Sequence, residues 1–280
     1  MADPPPPFTP SASAADLPPA PPAIRHDVSP TSNAPLALAE SGFTFCDENP
    51  LVPPQHLTAA SLEEISRGAL TLVVPPYKAY LNHVTVASSP ENGLPIVSTS
   101  SNCPDTALLS SLPLYAAGFH HPANTGSPKH IYFEVRLLRL PRRADKGAVA
   151  IGFAAKPYPP FRLPGWNRGS LAVHGDDGHR YCNNAFGGSE FMEAPWRVGE
   201  TVGIGMTFGT GRVGGGGGEV WVERNGKRVG GWEITEEVDS IDSMRGGDPK
   251  IGLDGRWDVY AALGVFGGGI QVEVSKFESV

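Results

Sequence analysis

The chain has 280 residues, room for one large or two small domains, and a formal charge of −7. Gly 34 and Pro 29 together exceed a fifth of the chain, against a usual share of about 12%, which disfavours bundles and coiled coils. The acidic balance opposes a nucleic-acid or anionic-membrane role. Cys46, Cys103 and Cys182 are too few and too scattered for a disulfide framework or a CxxC metal pair, a pattern of reducing compartments.

Eleven of the first 36 residues are Pro, and such a segment buries too little apolar surface to offset its ordering entropy. Residues 1–40 are therefore predicted to be a disordered, solvated tail, with a polyproline ligand as the alternative reading. The start lacks the basic and apolar regions of a secretory signal. The longest apolar-looking stretch, Tyr260–Ile270, holds eleven residues with four Gly, where a bilayer span needs about twenty. Residues 41–129 form a predicted N-terminal extension with one short helix, capped by Ser61, boxed by Glu64 and stopped by Gly68. Ser98–Ser111 is the best candidate there for an early strand-and-loop contribution.

From residue 130 the pattern is of strands. Ile131–Leu138 alternates Ile131, Phe133, Val135 and Leu137 against Tyr132, Glu134 and Arg136. Ala148–Ala154, Ser170–His174, Thr201–Phe208, Glu219–Glu223, Trp257–Val265 and Ile270–Val274 follow. Asn225-Gly226 supplies the positive φ angles of a type I′ hairpin turn. Short strands without intervening helices predict an all-β, antiparallel two-sheet sandwich. Phe133 and Trp221 are assigned to its core, while Trp196 and Trp232 stay open.

The segment Ile131–Val274 resembles a SPRY (B30.2-type) domain, whose fold is a concanavalin-like sandwich. The residues that carry the likeness are Tyr132-Phe133-Glu134-Val135, Ala150–Ala154, Gly165-Trp166 before His174-Gly175-Asp176-Asp177-Gly178, Val198–Gly205, Val220–Lys227 and Ala262–Gly267, in family order. Lys156–Trp166, followed by Arg168-Gly169-Ser170, further resembles the SPRY domain of fungal endosomal and vacuolar adaptors of HECT ubiquitin ligases. That resemblance implies cargo recognition in vacuolar sorting. The sequence departs from that pattern in lacking a single membrane span and a Pro-Pro-x-Tyr ligase ligand; Pro75-Pro76-Tyr77 places the Tyr one position early.

His174-Gly175-Asp176-Asp177-Gly178-His179 has a spacing compatible with metal ligation, but Asp-Asp-Gly also suits a tight turn, and the turn is favoured. Gly209–Gly218 lacks the Gly-Lys-Ser/Thr and following helix of a phosphate loop, and reads as an expanded hairpin loop. A glycosidase needs two carboxylates on one groove. Glu219 and Glu223 share a face, but Trp221 sits between them, so no enzyme and no cofactor are expected. Cys182 reads as a buried small hydrophobe. Trp166 and Phe161 could plug the end of the sandwich, whereas Tyr158 and Arg162 look more like contact residues.

The expected function is a non-enzymatic module that binds a short peptide or loop of a partner. A HECT ubiquitin ligase and membrane transporters are the implied partners, and the cytoplasm, with recruitment to the endosome or vacuole surface, the implied location. The alternatives are a scaffold subunit of a cytosolic ubiquitin-ligase complex and a lectin-like carbohydrate-binding protein or glycosidase. Tyr158, Arg162, Trp166, His174, Asp176, Asp177 and Tyr181 are the candidate binding residues. They converge only if the Pro-rich segment folds back along the sheet from the strand Ser170–His174.

Overall fold

The computed structural model describes residues 35–143, 146–185, 187–209, 217–236, 248 and 250–280. The N-terminal part runs α1 (Leu36–Glu48), α2 (Ala59–Ser66), β1 (Leu72–Val73), α3 (Lys78–Leu81), β2 (Val84–Ser88), β3 (Pro95–Thr99), β4 (Thr106–Ser110), α4 (Ala117–His120) and α5 (Pro122–Thr125). The strands β5 (Lys129–Arg139), β6 (Gly147–Ala155), β7 (Ser170–His174), β8 (His179–Cys182) and β9 (Ser189–Glu190) follow. β10 (Thr201–Phe208), β11 (Gly217–Arg224), β12 (Lys227–Glu233), β13 (Val259–Gly267) and β14 (Gln271–Ser279) complete the chain.

These strands form the expected sandwich of two seven-stranded antiparallel sheets. One has the order β1-β4-β13-β6-β7-β8-β9, the other β12-β11-β10-β5-β14-β3-β2. Period-two alternation drives the stacking, because every second side chain of a strand points to the same face. Ile131, Phe133, Val135 and Leu137 of β5 meet Val149, Ile151 and Phe153 of β6 in one core with Val202, Ile204, Met206 and Phe208 of β10. The β11–β12 turn has Asn225 at φ 53 and Gly226 at φ 70, as the hairpin signal requires. β14 lies between β5 and β3, so the N-terminal hairpin β2–β3 joins the sheet through the last strand.

The outer face of the first sheet is made of the smallest residues. Ala148, Ala150, Gly152 and Ala154 of β6, Ala172 of β7, and Ala262 and Gly264 of β13 are all buried there. They are covered by the Pro-rich segment 156–169. A methyl group on Gly264 would come within 2.6 Å of Pro164 Cδ and 2.9 Å of Leu163 Cδ2. The strand sequences thus specify a floor flat enough for a loop to lie on.

Several expectations are corrected. The tail assigned to 1–40 lies outside the described residues as far as 34, and Leu36–Glu40 begin α1. Leu-Ala-Leu-Ala-Glu is a run of strong helix formers, a signal masked by the surrounding prolines. The extension holds five helical segments rather than one. Thr58, not Ser61, caps α2: its Oγ1 accepts the Ser61 N–H at 3.1 Å. Gly68 does stop that helix at φ +64, with Gly68 N–H on Ile65 O and Ala69 N–H on Glu64 O, the paired bonds of a Schellman motif. Trp221 is not core. It lies on the outer face of the second sheet, over Gly205, where a Cβ would sit 2.1 Å from the indole. Trp196 and Trp232 are buried in the core.

Replacing Gly264 by Val is expected to cost about 1–3 kcal/mol through overpacking, lowering the melting temperature by several degrees. Limited proteolysis should show new cleavage within 156–169; a variant as stable and as resistant as wild type would refute the flat-floor requirement.

Candidate functional site

The Pro-rich segment does fold back along the sheet. Pro160 O accepts from Ala107 N–H of β4 at 3.0 Å, and Gly165 O accepts from Asn184 N–H beyond β8 at 3.0 Å. Ser170 Oγ accepts from Gly165 N–H at 2.8 Å and donates to Asn167 O at 2.7 Å. His174 Nε2 lies 2.9 Å from Pro164 O, to which it donates. Tyr158 closes the loop on itself, its hydroxyl donating to Leu163 O at 2.6 Å.

This geometry brings most of the expected site residues into one continuous stack. The Arg162 guanidinium lies 4.2 Å over the Trp166 ring. Trp166 meets His174 at 5.4 Å between centroids, and His174 meets Tyr181 at 4.1 Å. Tyr181 Oη then donates to Asp177 Oδ2 at 2.5 Å, while Asp177 Oδ1 accepts from His179 N–H at 2.9 Å. The Asp-Asp-Gly sequence is therefore the tight β7–β8 turn, with Gly178 at φ +73. Tyr158 belongs to a neighbouring patch with Ala107, Ala154 and Ala262. Among the described residues no cluster of His, Cys, Asp and Glu could hold a metal ion.

Tyr158, Arg162, Trp166, His174 and Tyr181 are buried, with Arg162 at 0% exposure. Desolvation lowers the affinity of His174 for a second proton and lowers the pKa of Arg162. Asp105, in the turn before β4, is pushed up by burial to about 6 despite the pull of Arg162, with Asp176 adding to the rise. Burial likewise takes the Cys182 thiol up to about 12; this side chain is half-buried at the edge of the core. On the opposite sheet, Glu219 is paired with Arg228, and Glu223 and Glu134 both accept from Tyr132 Oη, at 3.1 and 3.0 Å. The Gly209–Gly218 loop lies largely outside the described residues.

The accessible counterpart of the stack is a cleft of about 390 Å³ at the end of the sandwich. Ala148, Val149, Gly175 and Trp196 form its floor, and Leu140, Pro141, Arg142, Arg197 and Val198 its rim, with Asp176 facing in from the β7–β8 turn. Ala148 shares one buried cluster with Ala150, Leu163, Trp166 and Tyr181, so cleft and stack are contiguous. Val198 is 57% exposed. A Cβ on Gly175 would fall 2.5 Å from the Trp196 ring, so this glycine lets the indole lie flat against the turn. An apolar floor with a few convergent charges is the usual character of a recognition site. Sequence reading missed Leu140–Arg142 and Trp196–Val198; the run Leu-Pro-Arg-Arg after a strand was the available signal. A second cleft, of about 490 Å³, shares Arg197 and runs on past Phe191 to Val229.

Residues 130–214 match the SPRY domain. The chain is 40% identical over 97 residues to the SPRY domain-containing protein C285.10c of Schizosaccharomyces pombe, covering 35% of this chain and 22% of that protein. It is 31% identical over 137 residues to Protein ssh4 of Sclerotinia sclerotiorum, covering 49% of this chain and 23% of that one. A crystal structure of a human SPRY domain aligns with TM-score 0.41 and 20% identity, over 68% of this chain and 93% of that one. The chain thus spans about a fifth of the length of these curated relatives.

Asp105 gives the site a pH signature. Its carboxyl holds a proton to higher pH folded than unfolded, so its contribution to stability is full below the unfolded value of 3.8 and is lost as pH rises through about 6. Asp105→Asn should therefore raise the melting temperature at pH 7 but not at pH 4. An equal shift at both pH values would show that burial does not set its protonation.

Proposed function

We propose that this chain, with a SPRY domain at residues 130–214, is a non-enzymatic protein-interaction module that recognises a short peptide or loop of a partner. The carrying observation is the cleft beside the β7–β8 turn: a buried aromatic stack fixes the turn through Asp177, and Asp176 lines a cleft whose apolar floor is rimmed by Arg142 and Arg197. A turn fixed in this way loses little conformational freedom on binding, which favours affinity from a shallow site. His174, Asp177 and Tyr181 act as the support of the turn, and Asp176 as the contact group. The chemistry suits a peptide with an apolar anchor over Trp196 and polar groups of both signs beside it.

The narrower reading is a substrate adaptor in ubiquitin-dependent sorting of membrane proteins. It is supported by the character of the Lys156–Trp166 segment and by the similarity to Protein ssh4 across nearly half of the chain. HECT ligases and membrane transporters are the partners this reading proposes, met at the endosome or vacuole surface. Among the described residues no helix is long and apolar enough to cross a membrane.

Affinity purification of the full chain tests both levels. Val198→Asp and Asp176→Ala are each expected to weaken partner binding by about 2 kcal/mol, roughly thirtyfold, with the fold retained. Partners recovered equally by wild type and both variants would place recognition elsewhere. Recovery of transporters together with a HECT ligase supports the sorting role, and recovery of a soluble multisubunit complex rejects it.

A further inference from the structure

Helix α1 lies over the Pro-rich segment as a third layer. It packs through its smallest residues, Ala39, Gly42 and Cys46. A Cβ on Gly42 would fall 2.7 Å from Asn167 Oδ1. Phe45 meets Phe161 edge-on at 6.2 Å, and Arg168 Nη2 donates to Asn49 O at 2.8 Å. Burial raises the Cys46 thiol pKa, against the opposing pull of Arg168.

The groups trapped under this helix do not balance. Arg162 and Asn167 are both at 0% exposure. Arg162 Nε donates to Asn167 Oδ1 at 3.2 Å, but Arg162 Nη1 and Nη2, Asn167 Nδ2 and Arg168 Nε have no hydrogen-bond partner. All four are donors: the Asp105 carboxyl acts on Arg162 through charge alone and Cys46 serves Arg168 only as a weak thiol acceptor, so the layer is short of strong acceptors. Each buried, unsatisfied donor costs stability, more so when charged. The α1 face, built of Ala, Gly and Cys, has no carboxylate or carbonyl side chain to offer them.

The helix is also poorly secured at its N-terminal end. Pro35 makes no side-chain cap, the first turn holds no acidic residue, and Leu36 is 62% exposed. Beyond the helix the chain has anchors of its own: Val52 N–H binds Lys156 O at 3.0 Å and Gln55 N–H binds Asp258 Oδ2 at 2.8 Å. These bonds hold the chain from Val52 onward independently of the helix.

We propose that the surface beneath α1, centred on Arg162, Asn167 and Arg168, is a binding face for a carboxylate-bearing segment of a partner protein, which takes the place of α1. A carboxylate is acceptor-only and can take two parallel bonds from one guanidinium, which supplies what α1 withholds. The inference rests on the interaction role proposed above and adds the partner's chemistry. It gives Arg162 a direct part in recognition once the helix is displaced.

The test uses the full chain, wild type and Gly42→Leu, whose side chain cannot fit against Asn167. Phe45→Ser is the second release variant should Gly42→Leu fail to fold, as judged by its melting curve. The probes are fluorescent peptides of residues 35–50 carrying Asp or Asn in place of Cys46, the position beside Arg168. The release variant is expected to bind the Asp peptide about tenfold more tightly than wild type, and about tenfold more tightly than it binds the Asn peptide. Adding Arg168→Gln should abolish that preference. Equal binding by wild type and the release variant, or equal binding of the two peptides, overturns the proposal. If partner recovery still depends on Val198 in either case, only the α1 face is rejected and the cleft stands.

Discussion

The arrangement depends on one steric constraint: the outer face of the first sheet must be almost free of side chains. Ala148, Ala150, Gly152, Ala154, Ala172, Ala262 and Gly264 leave a floor on which a loop can lie in van der Waals contact. Larger residues at these positions would lift the Pro-rich segment and separate Trp166 from His174. The β7–β8 turn would then lose the packing behind Tyr181 that fixes it, and the cleft its shared wall at Ala148. The helix above would lose its seat as well. Layering of this kind, sheet on sheet and then loop on sheet and helix on loop, follows from where small residues fall on two strands.

A buried loop must satisfy its backbone polar groups, and this one does so in part by having fewer of them. Pro157, Pro159, Pro160 and Pro164 carry no N–H, which removes four donors from a crowded layer. Their carbonyls are used: Pro159 accepts from Arg162, Pro160 from Ala107 and Pro164 from His174. The side chains tell the opposite story, since Arg162, Asn167 and Arg168 bring a surplus of donors to the same layer. Backbone economy beside side-chain excess separates what holds this segment in place from what it can offer another molecule.

How much of this was legible in the sequence varies with the physics involved. Ser170–His174 and Thr201–Phe208 were legible residue for residue, because alternation and flanking glycines fix such strands locally. The Asn-Gly hairpin was readable for the same reason. Trp221 was misplaced because a large aromatic residue on a strand usually faces inward, whereas here two glycines across the strand pairing leave room for it outside. β8, β9 and the strands before residue 130 were missed or blurred, being too short to show an alternation. The stack from Arg162 to Asp177 was anticipated as a set of residues. Its burial was not, since that depends on how closely the Pro-rich segment lies on the sheet. The cleft rim draws on three separate loops, and no local signal in one sequence unites them.

The position of β14 has a consequence for how the molecule comes into being. It is the direct neighbour of β3, in the β2–β3 hairpin, on one side and of β5 on the other, so the second sheet is split until residues 271–279 exist. The hairpin formed by residues 84–99 must wait through the synthesis of more than half the chain for its place. Pairings of such sequence separation are slow to form and leave strand edges uncovered in the meantime. Closure of this sandwich therefore cannot precede residues 271–279, and until they pair, β3 and β5 each keep an open edge.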